Sequence, residues 1–218
     1  MNALKSTILK YVLLLLMCTS IITSCQQTGT PEKTASTNQP QHRKTKNGAQ
    51  YAEDINNGKI KKDDFIGSPV RTTSVVVGRC RISIRYSSPG VKGREIWGKL
   101  VPYNMIWATG ANHATAITFN QPVKIDGKKV PAGTYALFTI PRKSDWVVIL
   151  NKDADQHLTD DYSKKEDVMR FTVPSNQLPA AVQRLTYRIL QNDESSAEIR
   201  MEWENRSFGF LVYTLQVK

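Results

Sequence analysis

Cysteine is scarce in this chain, with three among 218 residues, at Cys18, Cys25 and Cys80. A leader that carries off Cys18 and a modification that consumes Cys25 leave Cys80 alone, so no internal disulfide is available and stability has to come from packing. Histidine is equally scarce, with three, and neither an HxH nor an HExxH spacing occurs, so the chain spells out no zinc motif. A GxSxG elbow and a glycine-rich phosphate loop are missing, which removes the usual serine-hydrolase and nucleotide signatures. Asn151, Asp153 and Asp155 have the 1, 3, 5 spacing of a calcium loop, but Gln156 stands where glycine is needed and Tyr162 where glutamate is needed. No apolar run is long enough to cross a bilayer as a helix.

What is present begins with an address. Lys5 and Lys10 precede an apolar run from Tyr11 to Met17, and small residues follow up to Ser24, the order of a secretory signal peptide over residues 1–24. Ile22-Thr23-Ser24-Cys25 resembles the lipobox of bacterial lipoproteins, in which the cysteine becomes the acylated N-terminus. Cys25 is therefore the expected lipidation site, with palmitate-type chains as membrane anchor. Several acyl chains hold a protein to a bilayer where one does not. Cys18 follows Leu15, Leu16 and Met17, too bulky for that peptidase. Gln26 and Gln27 put no acidic run behind the anchor, so the expected location is the periplasmic side of an envelope membrane, the outer membrane first.

Residues 25–64 read as a lipidated cysteine and a flexible polar tether, rich in Gln, Thr, Asn, Lys and Pro, too poor in apolar residues to order itself. Its coil reach is about 35 Å. Loss of Lys5 and Lys10 with the leader takes the formal net charge from +11 to +9. In a cytoplasmic protein that surplus suggests nucleic acid, but export removes that partner, and a solvated basic surface is the simpler reading.

Residues 65–218 read as a single all-β domain. Cys80, Ile82, Ile84 and Tyr86 alternate with Arg81, Ser83 and Arg85, a half-buried strand with Cys80 in the core. Asp126-Gly127 between Val123-Lys124-Ile125 and Lys128-Lys129-Val130 is a hairpin signal. Thr134 to Ile140 and Trp146 to Leu150 are apolar on both faces, as central strands are. Ala197, Ile199, Met201 and Trp203 alternate with Glu198, Arg200, Glu202 and Glu204. Nine or ten short strands and no long helical period predict an antiparallel β-sandwich, jelly-roll-like in type.

Val91 to Phe119 stands out, setting Trp97, Tyr103, Trp107 and Phe119 beside Lys92, Arg94, Asn112 and His113. Aromatic faces beside polar groups suit a binding cleft, and they equally suit an ordinary sheet core. The runs Val91-Lys92-Gly93-Arg94, Ile96-Trp97-Gly98, Leu100-Val101-Pro102-Tyr103, Thr109-Gly110-Ala111-Asn112 and Pro131-Ala132-Gly133-Thr134-Tyr135 resemble the bacterial exported lipoprotein family catalogued as domain of unknown function 2911. That resemblance implies the fold and an exported setting, and no activity. Against the family's pattern, Ala108 and His113 stand for an Arg and a Glu, and Gln156-His157-Leu158 stands for Gln-Trp-Gly.

Three readings of function follow. The first is a binding module taking a small molecule, glycan or protein partner through Lys92, Arg94, Trp97, Tyr103, Trp107, Asn112 and His113. The second is a hydrolase, metal-assisted through His113, His157 and Asp153 or Asp155 with zinc, or carboxylate-based through Glu95, Asp153 and Asp167. The third is a structural envelope protein without a small-molecule site. Convergence of Lys92, Arg94, Asn112 and His113 on one concavity favours the first two, and their scatter favours the third.

Overall fold

The computed structural model describes residues 48–215. Ten strands alternate as the sequence predicts: β1 Val70–Val77, β2 Cys80–Ser87, β3 Thr115–Phe119, β4 Val123–Ile125, β5 Lys128–Val130, β6 Gly133–Pro141, β7 Asp145–Asn151, β8 Asp167–Pro174, β9 Asn176–Gln191 and β10 Ser196–Thr214. They form a six-stranded sheet in the order β1-β2-β3-β6-β7-β8 and a second sheet in the order β5-β4-β10-β9, all pairings antiparallel. The result is the expected all-β sandwich. Within the large sheet the strands follow chain order, a meander interrupted only while β4 and β5 visit the other sheet. A jelly roll built of two Greek keys crosses between sheets more often than this chain does.

Inward residues of both sheets share one core, from Ile82, Ile84 and Ile117 to Ile199, Met201 and Phe208, all fully buried. Cys80 belongs to it, and burial raises its thiol pKa. The Asp126-Gly127 turn has φ of 47° and 75°, the left-handed pair that a two-residue hairpin requires. Strands β6 and β7 are central, and their second face is covered too. Ala136, Phe138 and Ile149 form a separate cluster with Ala108 and Ala114, flanked by Ile106, Leu158 and Tyr162.

Two elements depart from expectation. β10 has 19 residues, far too long to run straight through a sandwich at about 3.3 Å per residue. It doubles back: Glu204 takes a φ of 50°, the Thr214 amide donates to the Ser195 carbonyl at 2.7 Å, and a Cβ on Gly209 would stand 3.2 Å from the Ile199 carbonyl. Its two arms therefore lie side by side, which is why sequence alternation breaks near Glu204.

The second departure corrects the tether. Residues 48–64, placed in it by composition, are ordered against the sandwich, beginning with helix α1 (Gly48–Asn56). Ala52 and Ile55 are its buried apolar residues, and hydrogen bonds supply much of the hold. The Asn56 amide side chain accepts from Arg184 N at 2.7 Å and donates to Arg184 O at 2.9 Å, completing the edge of β9 as a neighbouring strand would. The Arg184 side chain is wholly buried. It donates to Asp63 Oδ1 at 2.6 Å and to the carbonyls of Phe65, Gly67 and Ser88 at 3.0–3.2 Å, and its guanidinium lies over the Phe65 and Tyr51 rings. A buried charge needs such pairing. The remaining tether and the leader, with Cys25, lie outside the described residues.

Candidate functional site

The connection from Ser88 to Ala114, which contains the stretch marked by sequence, is fastened at both ends. Val91 N donates to Gln183 O at 2.7 Å and Leu185 N to Pro89 O at 3.0 Å, while Trp107 and Thr139 exchange amide bonds of 2.8 and 3.0 Å. Thr109 adopts a φ of 51°, a conformation that a β-branched residue resists. Its surroundings hold it there: its carbonyl accepts from Thr115 Oγ1 and Tyr187 OH at 3.0 and 3.1 Å, and its hydroxyl meets that of Thr139 at 3.0 Å. Burial pushes the Tyr187 phenol well above its usual pKa.

Between those fastenings the loop delivers Trp97 and Trp107 to the core. There they meet Trp146 of β7 and Trp203 of β10, so all four tryptophans of the chain form one cluster with ring centres 4.9–6.1 Å apart. The Trp107 indole N–H donates to Gly110 O at 3.2 Å. The other three indole N–H groups have no hydrogen-bond partner, and near-perpendicular ring pairs such as Trp97–Trp107, at 79°, set ring edges against π-faces. Trp97 and Trp107 are half-buried and packed on neighbouring rings, so they act as core. Tyr103 lies under Gly98, its ring 3.1 Å from where a Cβ would stand.

The polar candidates separate. Lys92 binds the Phe65 carbonyl, and Arg94 binds the carbonyls of Gly90 and Val91. Both border a shallow depression of about 270 Å³ with Gly67, Ser68 and Gly90. Asn112 is exposed with a φ of 64°, and its carbonyl receives Leu158 N at 3.0 Å, so it shapes a turn. His113 borders a different, small recess beside Arg85 and Tyr86. The single cleft expected from Lys92, Arg94, Asn112 and His113 is thus not assembled.

His113 and His157 do come together. They face each other across an isolated antiparallel bridge with ring centres 6.2 Å apart. Asp153 does not join them: its amide donates to Asn151 Oδ1 at 3.0 Å and its carbonyl accepts from Gln156 Nε2 at 2.8 Å. Asp160 is the carboxylate at the pair, 2.8 Å from His157 Nδ1. Among the described residues no group of three or more His, Cys, Asp or Glu is placed to hold a metal. Asp167 is committed elsewhere, to Asn151, Tyr162 and Arg170.

A larger concavity, of about 410 Å³, opens at the opposite end of the sandwich, where the β1–β2, β3–β4 and β9–β10 turns meet the end of β10. Gly78, Arg79, Cys80, Gln121, Glu194, Thr214 and Leu215 line it. Gly78 takes a φ of 58°, and a Cβ there would stand 3.4 Å from the Glu194 carbonyl. Arg79 and Glu194 are exposed, and neither side chain forms an ion pair among the described residues. The sequence marked Cys80 as core and passed over Arg79 and Glu194. They are isolated charges in turns 115 positions apart, and only the fold brings them to one cavity.

The family model described as "Protein of unknown function (DUF2911)" matches residues 68–212. No curated protein and no solved structure matches the chain.

Proposed function

The chain belongs to the family described as protein of unknown function (DUF2911), and from there we propose that it is a lipid-anchored envelope protein whose sandwich binds a small zwitterionic molecule at its open end. The address rests on Ile22-Thr23-Ser24-Cys25 behind a leader, with Cys25 acylated and the domain on the periplasmic side of the outer membrane. Among the described residues no helix is long and apolar enough to cross a membrane. Residues 26–47 separate that anchor from α1, at most about 75 Å at full extension. Labelled palmitate should enter the wild-type chain and fail to enter Cys25→Ala; equal labelling of both would refute the anchor.

The observation that carries the binding reading is the cavity of about 410 Å³ with Arg79 and Glu194 on its wall. Its size falls in the range of small-molecule sites. A guanidinium and a carboxylate that do not neutralise each other suit a ligand bearing a carboxylate and an ammonium, and Cys80 and Leu215 add apolar lining to the same cavity. An amino acid or short peptide has that form. L-alanyl-L-alanine should raise the melting temperature, and its N-acetylated, C-amidated analogue should not. Equal shifts from both compounds, or none from either, would overturn the proposal.

A further inference from the structure

Two histidines meet outside that cavity. We propose that His113 and His157 form a site for a borderline divalent transition ion such as Cu(II), Ni(II) or Zn(II), with Asp160 as the positioning residue for His157. Of the three histidines in the chain, these two are neighbours although 44 positions apart.

The frame that presents them is fixed by backbone. Ala114 N donates to Gln156 O at 3.0 Å and Leu158 N donates to Asn112 O at 3.0 Å, one amide bond on each side of the pair. Directly opposed residues in an antiparallel pair carry their side chains on the same face. Asn112 and Leu158, opposite each other on one side of the pair, both take positive φ, 64° and 49°, so both segments turn sharply there. The Asp160 amide donates to His157 O at 3.0 Å, which seats the carboxylate beside the ring.

Ring geometry and tautomer both suit an ion. Two imidazoles bound to one ion through bonds of about 2.0–2.1 Å have ring centres about 4.5 Å apart when cis and about 6.4 Å apart when trans, and the observed 6.2 Å, with the ring planes at 82°, matches the near-trans arrangement of a square-planar ion. The Asp160 contact at His157 Nδ1 holds the proton on that nitrogen and leaves Nε2 with its lone pair, the carboxylate–histidine arrangement typical of metal ligands. Both rings are exposed, so solvent completes the coordination sphere. With two protein ligands the site is open and exchangeable, and imidazole donors favour Cu(II) over Ni(II) and Zn(II).

The test uses the full chain and the metal ions alone. Substoichiometric Cu(II) should broaden the imidazole proton resonances of His113 and His157 and spare His42, a readout that thiol binding at cysteine does not imitate. In calorimetric titration with Ni(II), His113→Ala and His157→Ala should each weaken binding at least about tenfold, and Asp160→Asn about tenfold, the usual scale for an outer-shell partner. His42→Ala should change nothing. Broadening confined to His42, or Ni(II) affinity unchanged in His113→Ala and His157→Ala, would overturn the site. Both rings lie on the surface, so these variants keep the fold, and thermal unfolding checks that directly.

Discussion

The two ends of the sandwich are finished in opposite ways. At one, the long connection between β2 and β3 drives Trp97 and Trp107 against Trp146 and Trp203 and closes the core with aromatic rings. At the other, short turns meet around Gly78, Gln121 and Glu194 and leave a cavity. The aromatic residues that drew attention in the sequence therefore pack the core, and the open end, built from turn residues, is where we propose that a ligand binds. Aromatic content marks burial, and a site needs space and unspent polar groups as well.

Substitutions at the two ends sharpen that contrast. Trp203→Ala at the closed end should cost about 3–5 kcal/mol in urea unfolding, from lost burial and the cavity left behind. Arg184→Met should cost a similar amount, about 3–5 kcal/mol, by leaving Asp63 buried without its partner. It should also release α1, seen as faster amide exchange at Ala52 and Ile55. Tyr187→Phe is milder, about 1 kcal/mol for the bond to Thr109 O, and it bears on alkaline stability. Burial raises the folded-state pKa of Tyr187 and of Tyr86, so their neutral forms contribute stability that is fully present below the unfolded phenol pKa of about 10. That contribution is lost as pH rises through the folded values, because the unfolded state releases its protons first. Tyr187→Phe should flatten the loss above about pH 10; an unchanged alkaline profile would count against the assignment. Gln121→Ala at the open end should stay within about 0.5 kcal/mol of wild type, where a loss of several would mean the cavity wall is structural.

The sandwich was legible because its strands alternate. Cys80 to Tyr86 and Ala197 to Trp203 point inward on every second residue as read, and Asp126-Gly127 turns where it should. The ordered segment over residues 48–64 was not legible, because its hold depends on Arg184, more than 115 positions away, and on hydrogen bonds that composition does not record. Lys92 and Arg94 were legible as cations but not as caps on backbone carbonyls. The sequence suggests His113 and His157 as a pair, with Asp153 or Asp155 as the third member. The fold supplies the pair and puts Asp160 there, because the turn after His157 brings Asp160 back to that ring, while the Asp153 backbone is bonded to Asn151 and Gln156.

The most direct test of the account is calorimetric titration of L-alanyl-L-alanine into wild type, Arg79→Ala, Glu194→Ala and the Lys92→Ala/Arg94→Ala double variant. The account predicts saturable one-to-one binding that is lost in each open-end variant and kept in the double variant. Binding kept in Arg79→Ala and Glu194→Ala but lost in the double variant would return the site to the Val91–His113 stretch, and no saturable binding to wild type would contradict the account outright.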